Sequence, residues 1–186
     1  MSTGPDFSEG PVPSRSFGER LLGALRLDAS VYEEVEHTPD ALGQAAGVVA
    51  LAALARGIGV SGELGVIGEL LGAFAGWLFG TAVIWLVGVK ILQHSSDFQE
   101  LLRTLGFASA PQLLYILGVF PLGPLAPLLV LTVLVLGIFA WVIAARQALD
   151  VTTGRAVAIC VLAQIPGLIL IILALMTAAP VVVPEM

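Results

Sequence analysis

Long runs of apolar residues, separated by short polar stretches, fill the chain from about Ala41 onward. A helix that crosses a bilayer needs about 20 mostly apolar residues. No charged residue occurs over 104–145, which is too long for one such helix. Pro121, Pro124 and Pro127 divide it, because proline cannot continue the helical hydrogen-bond ladder. The pattern therefore predicts five spans, at residues 41–60, 67–92, 105–119, 126–145 and 156–179.

The segment before the first span contains two short amphipathic stretches. Phe17, Leu21 and Leu25 recur at four-residue spacing, with Arg20 among the charged residues on the opposite side. This spacing predicts a short amphipathic helix that lies either on the membrane or under the bundle. A capping-box pattern that begins at Ser30 predicts a second short helix directly after it.

A similar capping pattern, Ser96 with Gln99, predicts an interfacial helix between the second and third spans. The predicted fold is all-α: a polytopic membrane helical bundle of about five transmembrane helices with short cytoplasmic interfacial helices. Residues 1–40 are then a cytoplasmic acidic tail, 41–179 the five-span membrane domain and 180–186 a short external C-terminal tail.

Composition makes lipid, rather than water, the main solvent. The chain has 186 residues, of which 58% are hydrophobic and 12% charged, whereas about 25% of a soluble domain is charged. Eight of the 14 acidic residues lie within residues 1–40, so the net charge of −6 belongs largely to the tail. This distribution predicts the lipid bilayer as partner and argues against nucleic acid.

The positions of lysine and arginine predict the orientation. If all five spans cross, seven of the eight Lys and Arg residues lie on the side of the amino terminus, and only Arg56 lies opposite. Cytoplasmic loops of membrane proteins carry the excess of positive residues. We therefore expect a multi-pass protein of the cell (plasma or inner) membrane, with its amino terminus in the cytoplasm and its carboxyl terminus outside.

Four glycines recur every fourth residue in the second span, on one face of the helix: Gly68, Gly72, Gly76 and Gly80. Small residues at this spacing let another backbone approach closely. The pattern predicts a helix-packing face. Its partner is either another helix of the same bundle or a second protein, in a homo-oligomer or with a membrane-protein partner, and the sequence leaves both open.

The segments outside the spans hold the candidate interaction residues. An acidic stretch that includes Glu33, Glu34 and Glu36 precedes the first span, and basic residues occupy the later loops. These charges either form local salt bridges or present a docking surface for a soluble partner. The candidate cytoplasmic interaction residues are Tyr32, Glu33, Glu34, Arg103, Arg146, Asp150 and Arg155.

Catalytic and metal-binding patterns are missing from the sequence. His37 beside the acidic stretch has no second His or Cys group to complete a metal site. There is no Gly-x-Ser-x-Gly, phosphate-binding glycine loop or HExxH pattern. We expect no enzyme, no cofactor and no metal. The span amides Gln44, Gln112 and Gln164, with Pro111 and Pro166, keep open an alternative, a permease-like protein that handles lipid or solute.

Several motifs resemble prokaryotic Yip1-domain proteins. They are Phe-Gly-Glu-Arg at 17–20, Leu-Arg-Leu-Asp at 25–28, Val-Tyr-Glu-Glu-Val-Glu at 31–36, Gln-Ala at 44–45, the stretch 103–114, and 146–150 with 154–156. The resemblance covers about residues 17–175 and depends on the order and spacing of the motifs.

The resemblance implies a five-span protein with a cytosolic amino terminus. Eukaryotic members of the family act in vesicle traffic, bind small GTPases of the Rab type and associate with one another. GTPase binding comes to this chain only by that analogy. An acidic stretch before the first span matters in those members, and Glu33 and Glu34 are the nearest equivalents here. We expect a non-enzymatic membrane-organising or adaptor protein.

Overall fold

The structure, a computed structural model, describes residues 15–60 and 65–178, and their regular secondary structure is entirely helical. Seven α-helices cover Phe17–Leu25 (α1), Ala29–Glu36 (α2), Ala41–Gly59 (α3), Gly65–Trp85 (α4), Phe98–Phe107 (α5), Ala126–Ala148 (α6) and Thr153–Ala178 (α7). A π-helical turn, Leu86–Ile91, extends α4. A 3₁₀ helix, Ala110–Val119, follows α5, and a 3₁₀ turn, Gly123–Leu125, precedes α6.

Three helical stretches within the described residues have the length and composition to cross a membrane: Ala41–Gly59, Gly65–Ile91 and Gly123–Ala148. The described part of α7 adds a shorter apolar stretch, Thr153–Ile169. Large apolar side chains such as that of Leu131 are exposed on these helices, as expected where lipid covers them. The predicted all-α membrane bundle is confirmed.

The third predicted span, 105–119, is divided between two elements. α5 ends at Phe107, and a 3₁₀ helix starts at Ala110 with Pro111 in its first turn. A 3₁₀ helix rises about 2 Å per residue, so its 10 residues extend about 20 Å, less than the ~30 Å hydrocarbon core. The expected single α-helix is therefore replaced by a bent and shorter path.

Two glycines bring the 3₁₀ helix against the end of α3. A Cβ on Gly59 would overlap the carbonyl group of Tyr115, and a Cβ on Gly118 would overlap the carbonyl group of Gly59. Because the obstacle in each case is backbone, no change of rotamer can relieve it. Arg56, one turn before Gly59, lies 5.6 Å from the centre of the Tyr115 ring. Its Nε is 3.2 Å from Oε2 of Glu69, so the charge that interrupts the first span is paired.

The short helices α1, α2 and α5 form a layer at one end of the bundle, where α2 packs against α5 and α6. Leu101, Leu105 and Phe107 of α5 are fully buried there. Trp77 of α4 joins the membrane helices to this layer, because its Nε1 donates a hydrogen bond to the carbonyl of Leu102 at 3.0 Å. The layer is part of the core rather than a loose appendage.

The face of α1 that packs against the rest of the protein is not the one that the sequence predicts. Arg20, assigned to the solvent side, is only 3% exposed, whereas Leu22 is 53% exposed. The cause is electrostatic, because the Arg20 guanidinium turns inward to reach Glu34 of α2. The capping residues also differ: Asp28, not Ser30, caps α2, and Asp97 with Glu100, not Ser96 with Gln99, forms the capping box of α5.

The glycine contact predicts opposite effects for two alanine substitutions in α3. Gly59→Ala should lower the thermal unfolding midpoint, since inserted atoms in a packed site cost about 1–3 kcal/mol. Gly47→Ala should leave the midpoint unchanged or raise it, because a Cβ there meets nothing within 4 Å and alanine favours the helix. Unfolding can be followed in detergent through the thiol reactivity of Cys160, the only cysteine in the chain and a buried one. A midpoint for Gly59→Ala at or above that of the wild type would contradict the contact.

Candidate functional site

Tyr32 is part of the core of the end layer and not of its surface. Its side chain is fully buried, and its hydroxyl donates a hydrogen bond to the carbonyl of Ala24 at 3.2 Å. Burial raises the pKa of the phenol well above its usual range. Tyr32 therefore holds α2 against α1, and its buried ring leaves a direct contact with a soluble partner as an untested prediction.

Glu34 joins α2 to α1 and to the residue Arg15 before α1 through ion pairs. Arg15 Nη1 lies 3.0 Å from its carboxylate and Arg20 Nη2 lies 2.8 Å from it. Arg20 also donates a hydrogen bond to Oε1 of Gln44 in α3 at 3.0 Å. Desolvation acts to raise the pKa of Glu34, but the hydrogen bonds and charges of the two arginines lower it below its usual range. Arg15 and Arg20 precede Glu34 in the sequence and could have indicated these pairs. The sequence analysis instead set the acidic stretch against the basic residues of the later loops.

Arg103 links α5 to the end of α2. Its side chain is buried, and Nε donates to the carbonyl oxygens of Val35 and Glu36, each at 3.1 Å. Nη2 donates a further bond to Glu36. The last carbonyls of a helix have no partner within the helix, and the helix dipole favours a cation beside them. Arg103 thus caps α2, so it is not free to contact a soluble partner.

Four of the predicted interaction residues place charge at the surface of the end layer or beside it. Glu33 of α2 is exposed and accepts a hydrogen bond from Nε2 of Gln147 at 2.6 Å. Arg146 is half-buried, and its Nε donates to the same amide at 3.0 Å. Asp150 follows α6 in the left-handed conformation (φ 49°) and is exposed, as is Arg155 in the first turn of α7.

Glu36 is the residue that the sequence reasoning did not single out. It is 6% exposed although it is charged by type. Burial raises its pKa to about 7, His37 acts in the opposite direction, and the negative charges of Asp150, Glu100 and Glu33 add to the increase. Its spacing to Tyr32, four residues along α2, places both on one helix face, which was the available signal. We call Glu33, Glu36, Glu100 and Asp150 the acidic patch.

The glycine face of α4 is only partly occupied by the chain itself. A Cβ on Gly80 would lie 2.5 Å from the Trp141 ring of α6, so this glycine makes a close contact within the bundle. No described residue lies within 4 Å of a Cβ on Gly72 or Gly76, and Gly68 is half-buried in the first turn. The predicted packing face therefore divides into a packed end and an open middle.

Over residues 15–60 and 65–178, no group of three or more His, Cys, Asp or Glu side chains is arranged to hold a metal ion.

Removal of the Arg103 guanidinium should destabilise the end layer. Arg103→Met keeps an unbranched, mostly apolar side chain but leaves the carbonyls of Val35 and Glu36 without their donor. We expect a loss of about 2–3 kcal/mol in the free energy of unfolding. Arg26→Met is the matched control, because Arg26 is exposed and such surface changes stay within about 0.5 kcal/mol. Equal unfolding midpoints for the two variants would refute the capping role.

The raised pKa of Glu36 predicts that stability depends on pH. Between pH 4.5 and about pH 7, Glu36 is ionised in the unfolded chain but still protonated in the folded protein. The free energy of unfolding therefore falls as the pH rises through this range, and the contribution of Glu36 is constant above it. Glu36→Gln should match the wild type near pH 4.5 and unfold at a higher temperature at pH 8. A gain of about 2–4 °C corresponds to ~1 kcal/mol, after allowance for solvent screening. Circular dichroism at both pH values measures it, with exposed Asp40→Asn as control; equal gains at both would contradict the assignment.

Comparison with known proteins identifies the family. A family model described as the Yip1 domain matches residues 30–176, from α2 to near the end of α7. No curated protein and no solved structure gives a match. The matched region contains the three helical stretches able to cross a membrane and most of the end layer. The resemblance seen in the motifs is thereby confirmed: the chain is a membrane protein that belongs to the Yip1 domain family.

Proposed function

We propose that this protein is a non-enzymatic membrane organiser or adaptor that binds a soluble partner through the end layer. The observation that carries the proposal is that two exposed charges from separate elements, Glu33 of α2 and Asp150 after α6, lie on or beside a layer that is internally tied, with the exposed Arg155 following in the first turn of α7. Arg103 and the Arg20–Glu34 pair supply those ties.

A tied layer suits binding because it is already ordered before a partner arrives. Association loses free energy when loops and side chains must be immobilised. Here α1, α2 and α3 are joined through Glu34 and Gln44, and α2 is joined to α5 through Arg103. A partner would meet a fixed arrangement of charges, so less of its binding energy would be lost in ordering the surface.

The sign of the charge indicates the kind of partner. Glu33, Glu100 and Asp150 each act on Glu36 as nearby negative charges. A complementary positive surface would be steered toward such a patch and held in register by it. We therefore propose a soluble protein with a basic face as the partner.

The proposal places the end layer in the cytoplasm of a cell (plasma or inner) membrane protein. The excess of Lys and Arg on the amino-terminal side supports this orientation.

Site-specific photocrosslinking at native expression levels tests the proposal. A photoreactive residue in place of Glu33 or Asp150 should give a discrete adduct with one soluble protein, and Glu33→Lys combined with Asp150→Lys should abolish crosslinking from Arg155. Leu71, an exposed apolar residue of α4, is the matched control position and should give no soluble adduct. Recovery of uncrosslinked protein alone from all three charged positions would reject the adaptor function.

A second candidate function, the handling of lipid or solute, is favoured by one observation. A cavity of about 220 Å³ lies beside α4 and is bordered by Gln112, one of the span amides. Movement of lipid or solute across proteoliposomes would distinguish this function from the first, since an adaptor needs none. An equal rate with Gln112→Leu would remove this candidate.

A further inference from the structure

A cavity of about 220 Å³ lies among α3, α4, the 3₁₀ helix and α6. Its walls combine small apolar side chains with the indoles of Trp77 and Trp141 and the polar side chains of Ser109 and Gln112. Such a volume is large enough for several water molecules. Apolar walls with a few convergent polar groups are typical of ligand-binding sites.

The two polar side chains of the cavity have no partner in the described part of the chain. Ser109 is 6% exposed, and neither its hydroxyl nor the amide of Gln112 makes a hydrogen bond to any described residue. The Trp77 N–H, by contrast, already donates to the carbonyl of Leu102. Neither group is fully enclosed by the protein: Gln112 is half-buried, and among the described residues the enclosed side-chain atom without a partner is Thr81 Oγ1. The hydroxyl and the amide are therefore able to hydrogen-bond to a molecule in the cavity.

The cavity lies among the membrane helices and borders the end layer. Val49 and Ala52 are about 12 and 16 Å along α3 from Ala41, at 1.5 Å per residue. Gly76 is a similar distance along α4 from Gly65. On the side of the end layer, Ser109 lies two residues after the end of α5, and Trp77 is hydrogen-bonded to Leu102 of α5.

The cavity reaches the side of the bundle at α4. Gly76 forms part of its wall and is exposed, and a Cβ at this position would meet nothing within 4 Å. The absence of a side chain leaves an opening toward the face that contacts lipid. A ligand that arrives through the membrane would enter here, which favours a lipid over a solute from water.

Over the part of the chain that the structure describes, the lining contains no Asp, Glu, Lys, Arg or His side chain. A phosphate or ammonium headgroup would therefore lack a counter-charge from these residues. We propose that the cavity binds the uncharged end of a lipid that carries a hydroxyl and ester carbonyls, such as a diacylglycerol. The hydroxyl and a carbonyl meet Ser109 and Gln112, and the acyl chains leave beside Gly76. This site is separate from the acidic patch and requires neither the adaptor function nor transport.

Fluorescence quenching in nanodiscs tests the site with the full chain. The protein has three tryptophans, and Trp85 packs against Phe98 and Lys90 rather than on the cavity. Trp85→Phe therefore leaves emission from Trp77 and Trp141 alone. Titration with a diacylglycerol brominated on its acyl chains, in phosphatidylcholine, should quench this emission saturably. Brominated phosphatidylcholine at equal mole fractions should give only a proportional decrease.

Matched variants identify the residues involved. Gly76→Leu fills the opening and should abolish saturable quenching, whereas Gly72→Leu, one turn away with equal space but outside the lining, should preserve it. Gln112→Leu keeps the volume and should weaken binding about tenfold, as expected for a lost hydrogen bond. Quenching that is proportional for both brominated lipids would overturn the proposal, and this comparison needs no cavity variant. Loss of the saturable quenching when glycerol is added to the buffer would show that the site takes a solute. This result would also overturn the proposal.

Discussion

The buried guanidinium of Arg103 connects α5 to the end of α2, and the arrangement of the rest of the molecule depends on this contact. It lies on α5 and donates to the last carbonyls of α2, 67 and 68 residues earlier in the chain. A buried cation is tolerated only when hydrogen bonds and opposite partial charge replace its lost water. The end of α2 supplies both, because the carbonyls of Val35 and Glu36 accept from the guanidinium and the helix dipole is negative there. The position of α2 then determines where Glu33, Glu34 and Glu36 point.

Much of the fold follows from apolar length alone. The three stretches able to cross a membrane agree closely with predicted spans, and the end layer was expected as short amphipathic helices. Residues 105–119 differ because hydropathy measures burial in lipid and not helix type. Hydropathy therefore does not show that Pro111 and Gly118 favour a 3₁₀ helix packed beside Gly59.

The candidate site was harder to predict, because charged residues on a short helix have several available partners. The sequence assigned Glu33, Glu34 and Arg103 to the segments on one side of the membrane, but it did not show which residue each of them contacts. Arg103 bonds to backbone carbonyls, which a residue pattern does not display, and Arg20 turns inward to Glu34. Tyr32 shows the same difficulty, since an aromatic residue among acids suggests a surface until its buried hydroxyl is located.

The contact between Gly59 and Gly118 bears on how the chain is assembled in the membrane. The 3₁₀ helix is too short to be retained there by its own hydrophobicity. α3 leaves the ribosome first and provides the surface against which this later segment can settle. Insertion of the 3₁₀ helix therefore depends on α3. A substitution that disrupts α3 would prevent the insertion of a segment that is made some fifty residues later.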